Sequence, residues 1–153
     1  MIKTIKELYK SWNPTTTMEN KVTETPSLTT LANTIHKGNV KRGFYDDPKE
    51  VGTVLMLIVT ELAEAMESYR SNNSIASDRM ETLEWDSKED EPFTTEDINQ
   101  FKLVVKDTFE DEIADTIIRL FDLCGWMNID IHKHIMLKLK YNDTRPYKHG
   151  KAF

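Results

Sequence analysis

Cysteine is almost absent from this chain. Cys124 is the only one in 153 residues, so no internal disulfide can form and a reducing, cytoplasmic setting is the expectation. Glycine and proline are scarce, five of each, which leaves few sites for tight turns. No apolar run approaches the roughly 18 residues that a membrane span needs, so no membrane partner is expected. The first residues, MIKTIKELYKSWNP, hold no apolar stretch of leader-peptide length. Positive charge is not in excess either. The net charge is −6, which argues against a nucleic-acid partner. It does not exclude a small anion, because a bound metal ion reverses the local field.

What is present is ordinary for one soluble domain: 30% charged and 39% apolar residues, in a chain long enough to bury a core. Few segments alternate with period two. Apolar residues recur at spacings of three and four, so the expected class is all-α. Residues 1–26 read as an N-terminal extension, with a polar linker NPTTTMENKVTETPS. A first helix is predicted from an N-cap at Ser27 or Thr29 to Lys41, ended by GFYDDP. A second runs from Pro48 to Ser71. SDRMETLEW is a candidate short helix, and DSKEDEPFTTED an acidic loop. A third helix starts at Thr94 or Thr95 and runs to Trp126, with a weak point near Val104. A fourth starts at Asn128 or Asp130 and ends by Asn142, before the Thr-Arg-Pro turn.

The second helix carries two acids where it is most apolar, in VGTVLMLIVTELAEAM. At about 100° per residue, Glu61 and Glu64 share an arc with Val54, Leu57, Ile58 and Ala65. Unpaired carboxylates on a buried face are costly, so something positive must meet them. FEDEIADTIIRLFDLCGW repeats the spacing with Glu112 and Asp115. Arg119 and Asp122 continue that polar stripe, while Ile113, Ile117, Leu120 and Cys124 form an apolar one. An Asp115–Arg119 pair at i,i+4 accounts for Asp115 but leaves Glu112 without a partner. Two such helices packed antiparallel present four oxygen donors to one another, a set suited to Mg²⁺, or to Mn²⁺, rather than Zn²⁺. A di-iron carboxylate centre needs Glu-x-x-His, and no Glu stands three residues before His36, His132, His134 or His149. Beyond the acids lies a basic end: Lys138, Asn142, Arg145, Lys148 and Lys151, with Tyr141 and Tyr147 between them. Such a group suits a polyphosphate held jointly with a metal, and it equally suits a solvated helix end.

LMLIVTELAEAMESYR, EDEIADTIIRLFDLC and KLKYNDTRPYKHGKAF, in that order, resemble the motifs of the MazG-like, all-α nucleoside triphosphate pyrophosphohydrolases. KGNVKRGFYDD resembles the segment ahead of that family's first acid pair. The resemblance covers about residues 29–70 and 108–153, so residues 27–153 read as the domain. Residues 72–107 then read as an insertion or lid, with Trp85 and Phe93 as candidates to stack on a base. The resemblance implies a four-to-five-helix bundle, a homodimer or homotetramer, and hydrolysis of a (deoxy)nucleoside triphosphate to monophosphate and pyrophosphate. It assigns Mg²⁺ to Glu61, Glu64, Glu112 and Asp115, and phosphate contacts to the Lys138, Asn142, Arg145 pattern with Tyr141 nearby. Phe44, Tyr45 and Trp126 are candidates for a base pocket. Many members carry a further Glu where this chain has Thr60, so a ligand acid, Glu67 or another carboxylate takes the general-base role. A phosphoribosyl-ATP-type substrate and a non-catalytic nucleotide- or metal-binding scaffold are the competing expectations.

Overall fold

The computed structural model describes residues 27–74 and 92–147. The extension 1–26, the candidate helix SDRMETLEW, Trp85, Lys148 and Lys151 lie outside the described residues. All regular structure within them is helical, as expected: α1 (Leu28–Lys41), α2 (Val51–Arg70), α3 (Thr95–Val104), α4 (Phe109–Trp126) and α5 (Ile131–Asp143). The chain divides into two compact units, Ala32–Ile129 and Met1–Leu31 with Asp130–Phe153. No helix of the described residues is long and apolar enough to cross a membrane.

Local chemistry sets most helix ends. Ser27 opens α1, its hydroxyl accepting from the Thr30 amide at 3.1 Å. Gly43, at φ +82°, closes the turn after α1 in a backbone region that side chains disfavour. α2 starts at Val51 rather than Pro48. Glu50 before it is extended and makes no side-chain cap bond, so the onset of the apolar run decides where this helix begins.

The expected third helix is two helices. Asp107 takes a left-handed φ of +62°, which an Asp tolerates better than most residues. Its amide donates to Asp111 Oδ2, and Thr108 restarts the chain as the α4 N-cap by accepting from the Asp111 amide. α3 keeps its own capping box, Thr94 with Asp97. Asn128, at φ +53°, ends α4. In the other unit, Asp130 caps α5 by accepting from the Lys133 amide, and it also accepts from the Thr29 hydroxyl at 2.7 Å.

Within Ala32–Ile129, α2 packs along α4. The C-terminal end of α2 is tied to the N-terminal end of α4. The Ser68 hydroxyl and the Asn73 side-chain amide donate to the Asp107 carbonyl, the Phe109 amide donates to the Asn73 carbonyl, and the Tyr69 and Phe109 rings meet at 5.9 Å. The pair is therefore antiparallel. α1 lies so close to α4 that a Cβ on Gly125 would stand 2.6 Å from the His36 Cβ and 2.7 Å from the Ala32 carbonyl oxygen. Glycine is what allows that approach.

Among the described residues the core is small: Ala32, Ile58, Ala65, Val105, Phe121, Leu123 and Cys124. Burial pushes the Cys124 thiol above its ordinary pKa, so it serves as a small apolar residue. The stripe read on α4 is only partly covered, because Ile117 and Leu120 stay exposed while Phe121 and Leu123 are buried. α2 is apolar on two adjacent faces. Val54, Ile58, Glu61 and Ala65 turn inward. Leu55, Val59, Leu62, Met66 and Tyr69 repeat at spacings of four and three, and each is at least 46% exposed.

Candidate metal and ligand site

The acids of α2 and α4 meet as their shared spacing implies. Glu61 and Glu112 are buried and Asp115 is exposed. Each offers a carboxylate oxygen, and these oxygens lie within 4.8 Å of one another. Glu64 is exposed and stands outside this group, yet its charge acts on Glu112. Burial, followed by the charges of Glu64, Glu61, Asp115 and Asp111, raises the Glu112 pKa above its ordinary value. The Asp115 carboxyl is raised too, by burial first and then by Asp111 and Glu61, while Arg119 and Lys106 oppose the shift. Two unit charges 4 Å apart interact by about 4 kcal/mol at an effective dielectric of 20. Three carboxylates so placed are in strong mutual conflict.

Arg119 relieves part of it. Its Nε lies 2.6 Å from Glu61 Oε1, so the ion pair runs between helices instead of along α4 to Asp115. One guanidinium against three carboxylates still leaves an excess of negative charge. A compact, all-oxygen, anionic donor set of this kind fits a hard divalent cation such as Mg²⁺.

A cavity of about 250 Å³ opens beside the acids. Phe44, Leu57 and Ile118 give it apolar walls, and Asp115, Arg119 and Asp122 line it from successive turns of α4. Tyr45 lines it as well, whereas Trp126 does not. Trp126 stacks at a tilt behind Tyr45, with ring centroids 5.7 Å apart. Asp122 accepts from His36 Nδ1 at 2.9 Å, and its charge acts on the Tyr45 phenol. The His36 and Tyr45 rings meet edge-on at 4.6 Å. Sequence reasoning missed His36 and did not give Asp122 a role, because no spacing in the chain links positions 36, 45 and 122.

The other expected residues belong to the second unit. Lys138 places Nζ 5.2 Å from the centre of the Tyr141 ring, a cation–π contact within the last helix. Asn142 has a buried Oδ1 with no hydrogen-bond partner among the described residues. Arg145 follows in the turn after α5, its amide donating to the Asn142 carbonyl. Thr60, where the family often has Glu, turns its hydroxyl to the Leu57 carbonyl of its own helix.

Comparison with models of known protein families, with curated proteins and with solved structures finds no match in any of the three. The functional reading therefore rests on the site's own chemistry and on the motif resemblance.

Proposed function

We propose that this chain hydrolyses a nucleoside triphosphate, with Mg²⁺, to the monophosphate and pyrophosphate. The observation that carries the reading is the triad Glu61, Glu112 and Asp115, of which Asp115 also lines a cavity of about 250 Å³. A carboxylate-rich cation site beside a part-apolar pocket suits a ligand with a polyphosphate at one end and a flat ring at the other. When bound, Mg²⁺ supplies charge neutralisation at the phosphates and lowers the pKa of a coordinated water. Glu61, Glu112 and Asp115 are the residues that would hold it, with Glu64 as the fourth acid. Arg119 fixes the Glu61 carboxylate. Phe44, Tyr45 and Leu57 exclude water from the ring. Water adds to the α-phosphorus, the bond to the bridging oxygen breaks, and that oxygen leaves on pyrophosphate. The resemblance carries Lys138, Asn142 and Arg145, with Tyr141 beside them, to the phosphates.

The test is pyrophosphate release from a panel of ribo- and deoxyribonucleoside triphosphates and phosphoribosyl-ATP, with Mg²⁺ and with chelator. Metal-dependent release is the expected result. No release from any of them would leave a nucleotide- or metal-binding scaffold as the better reading.

The proposed enzyme is a homo-oligomer. Leu55, Val59, Leu62, Met66 and Tyr69 form a bare apolar seam with coiled-coil spacing on α2. A second copy brings an identical seam, and a two-fold axis pairs the two. Leu62→Glu is expected to convert the protein to a monomer in light-scattering chromatography while its helical circular dichroism persists. An unchanged mass for the variant would remove α2 from the interface.

A further inference from the structure

The far end of the cavity has a chemistry of its own. Asp115 and Asp122 lie on one face of α4, two turns apart. That is about 10 Å along the helix, the length of a nucleotide from its phosphate to the hydrogen-bonding edge of its base. With phosphate beside Asp115, the base edge therefore reaches Asp122. Asp122 is built into place. Its side chain is 15% exposed and lines the cavity. A carboxylate only accepts, so His36 Nδ1 donates to it.

Burial and Asp122 push the Tyr45 phenol well above its ordinary pKa, so it keeps its proton. The Asp122 carboxylate oxygens make this end of the cavity an acceptor site. A base presenting an exocyclic amine gives those acceptors a partner. Uracil and thymine present one ring N–H flanked by two carbonyls, and those carbonyls would face lone pairs. Asn39 lines the cavity too, and its side-chain carbonyl oxygen accepts from Arg42 Nη1 at 3.1 Å. The amide hydrogens are then the donor for a ring nitrogen next to the amine.

We propose that Asp122, held by His36, is the specificity residue of this cavity and selects nucleobases that carry an exocyclic amine. The inference rests on reading the cavity as the nucleoside end of a triphosphate site. Cytosine and uracil make the cleanest comparison, because they differ at the amine position and match in shape. Calorimetric titration with cytidine and uridine 5′-monophosphate in Mg²⁺ is the experiment, alongside hydrolysis of the two triphosphates.

The wild type is expected to favour the cytidine ligand by at least about 10-fold, because a half-buried carboxylate gains a donor from cytosine and faces a carbonyl in uracil. Asp122→Asn, whose amide can both donate and accept, is expected to bring the ratio to within about 3-fold. Tyr45→Phe removes the hydroxyl that shares the cavity lining with Asp122 and should give an intermediate ratio. Equal wild-type affinities, no binding of either monophosphate, or a ratio unmoved in Asp122→Asn would each overturn the proposal. Should Asp122→Asn not fold, the wild-type ratio and Tyr45→Phe decide. A cytidine preference without hydrolysis of either triphosphate would sink the enzyme reading and leave this one standing. Hydrolysis of both at equal efficiency would do the reverse.

Discussion

Glu112→Gln is expected to make the protein more stable without metal and inactive with it. Glu112 is buried against Glu61 and Asp115, and burial and like charge both disfavour its ionised form. Gln keeps the shape and removes the charge. A rise in thermal midpoint of roughly 2–4 °C is expected in chelator, the shift that about 1 kcal/mol produces in a chain of this size. Metal-dependent pyrophosphate release should fall by at least about 100-fold, because a direct ligand matters more than the outer-shell groups whose loss costs 10–100-fold. Glu61→Gln separates the two effects. It abolishes activity too, but it also strands Arg119, whose Nε is 2.6 Å from Glu61, so its midpoint should not rise as far. A Glu112→Gln protein that is folded, less stable and fully active would refute the metal assignment.

Mg²⁺ is expected to raise the thermal midpoint strongly at about pH 8, and by less and less as pH falls into the ordinary carboxylate range. Glu112 and Asp115 have folded-state pKa values above their ordinary 4.5 and 3.8. Between the ordinary and the raised values the folded protein holds more protons than the unfolded chain. Without metal, its stability therefore falls as pH rises through that window. Metal binding needs the ionised carboxylates, so its contribution is present above the window and is lost below it. At a free concentration of 100 times Kd, the stabilisation is about 2.7 kcal/mol.

Asp130, in the other unit, has the opposite sign. The Thr29 hydroxyl and the Lys133 amide hold its carboxyl below the ordinary 3.8. Its contribution persists above that value and disappears as pH falls through the lowered one. Paired melting curves with Mg²⁺ and chelator across pH give the answer. An equal Mg²⁺ increment at both ends of the range would show that the cation binds elsewhere.

Helix content was legible in the chain because apolar periodicity and end chemistry are local. Ser27, Thr94 and Asp130 cap as their side chains imply. The pairing of Glu61 with Glu112 was legible for a related reason. An acid inside an apolar arc must point inward wherever the helix packs, and two helices with the same acid spacing can align their acids. The break at Asp107 was also written locally, in Thr108 followed three residues later by Asp111. The stronger apolar pattern on either side left it legible only as a weak point near Val104, where α3 ends. The partner of Arg119 was not legible. Asp115 stands one turn away on the same helix, and only the approach of α2 puts Glu61 within 2.6 Å.

The sequence by itself determined the helices, the inward acids and the excess of negative charge around them, because each depends on neighbours within a turn or two. Tertiary structure alone decided that Arg119 meets Glu61, that Tyr45 and Asp122 share one cavity, and that His36 bonds Asp122 beside it. It also decided that one apolar face of α2 is covered by α4 while the adjacent face stays bare. Those are distances between segments up to 86 residues apart, set by how closely Gly125 lets α1 approach α4 and by how α2 docks antiparallel along it.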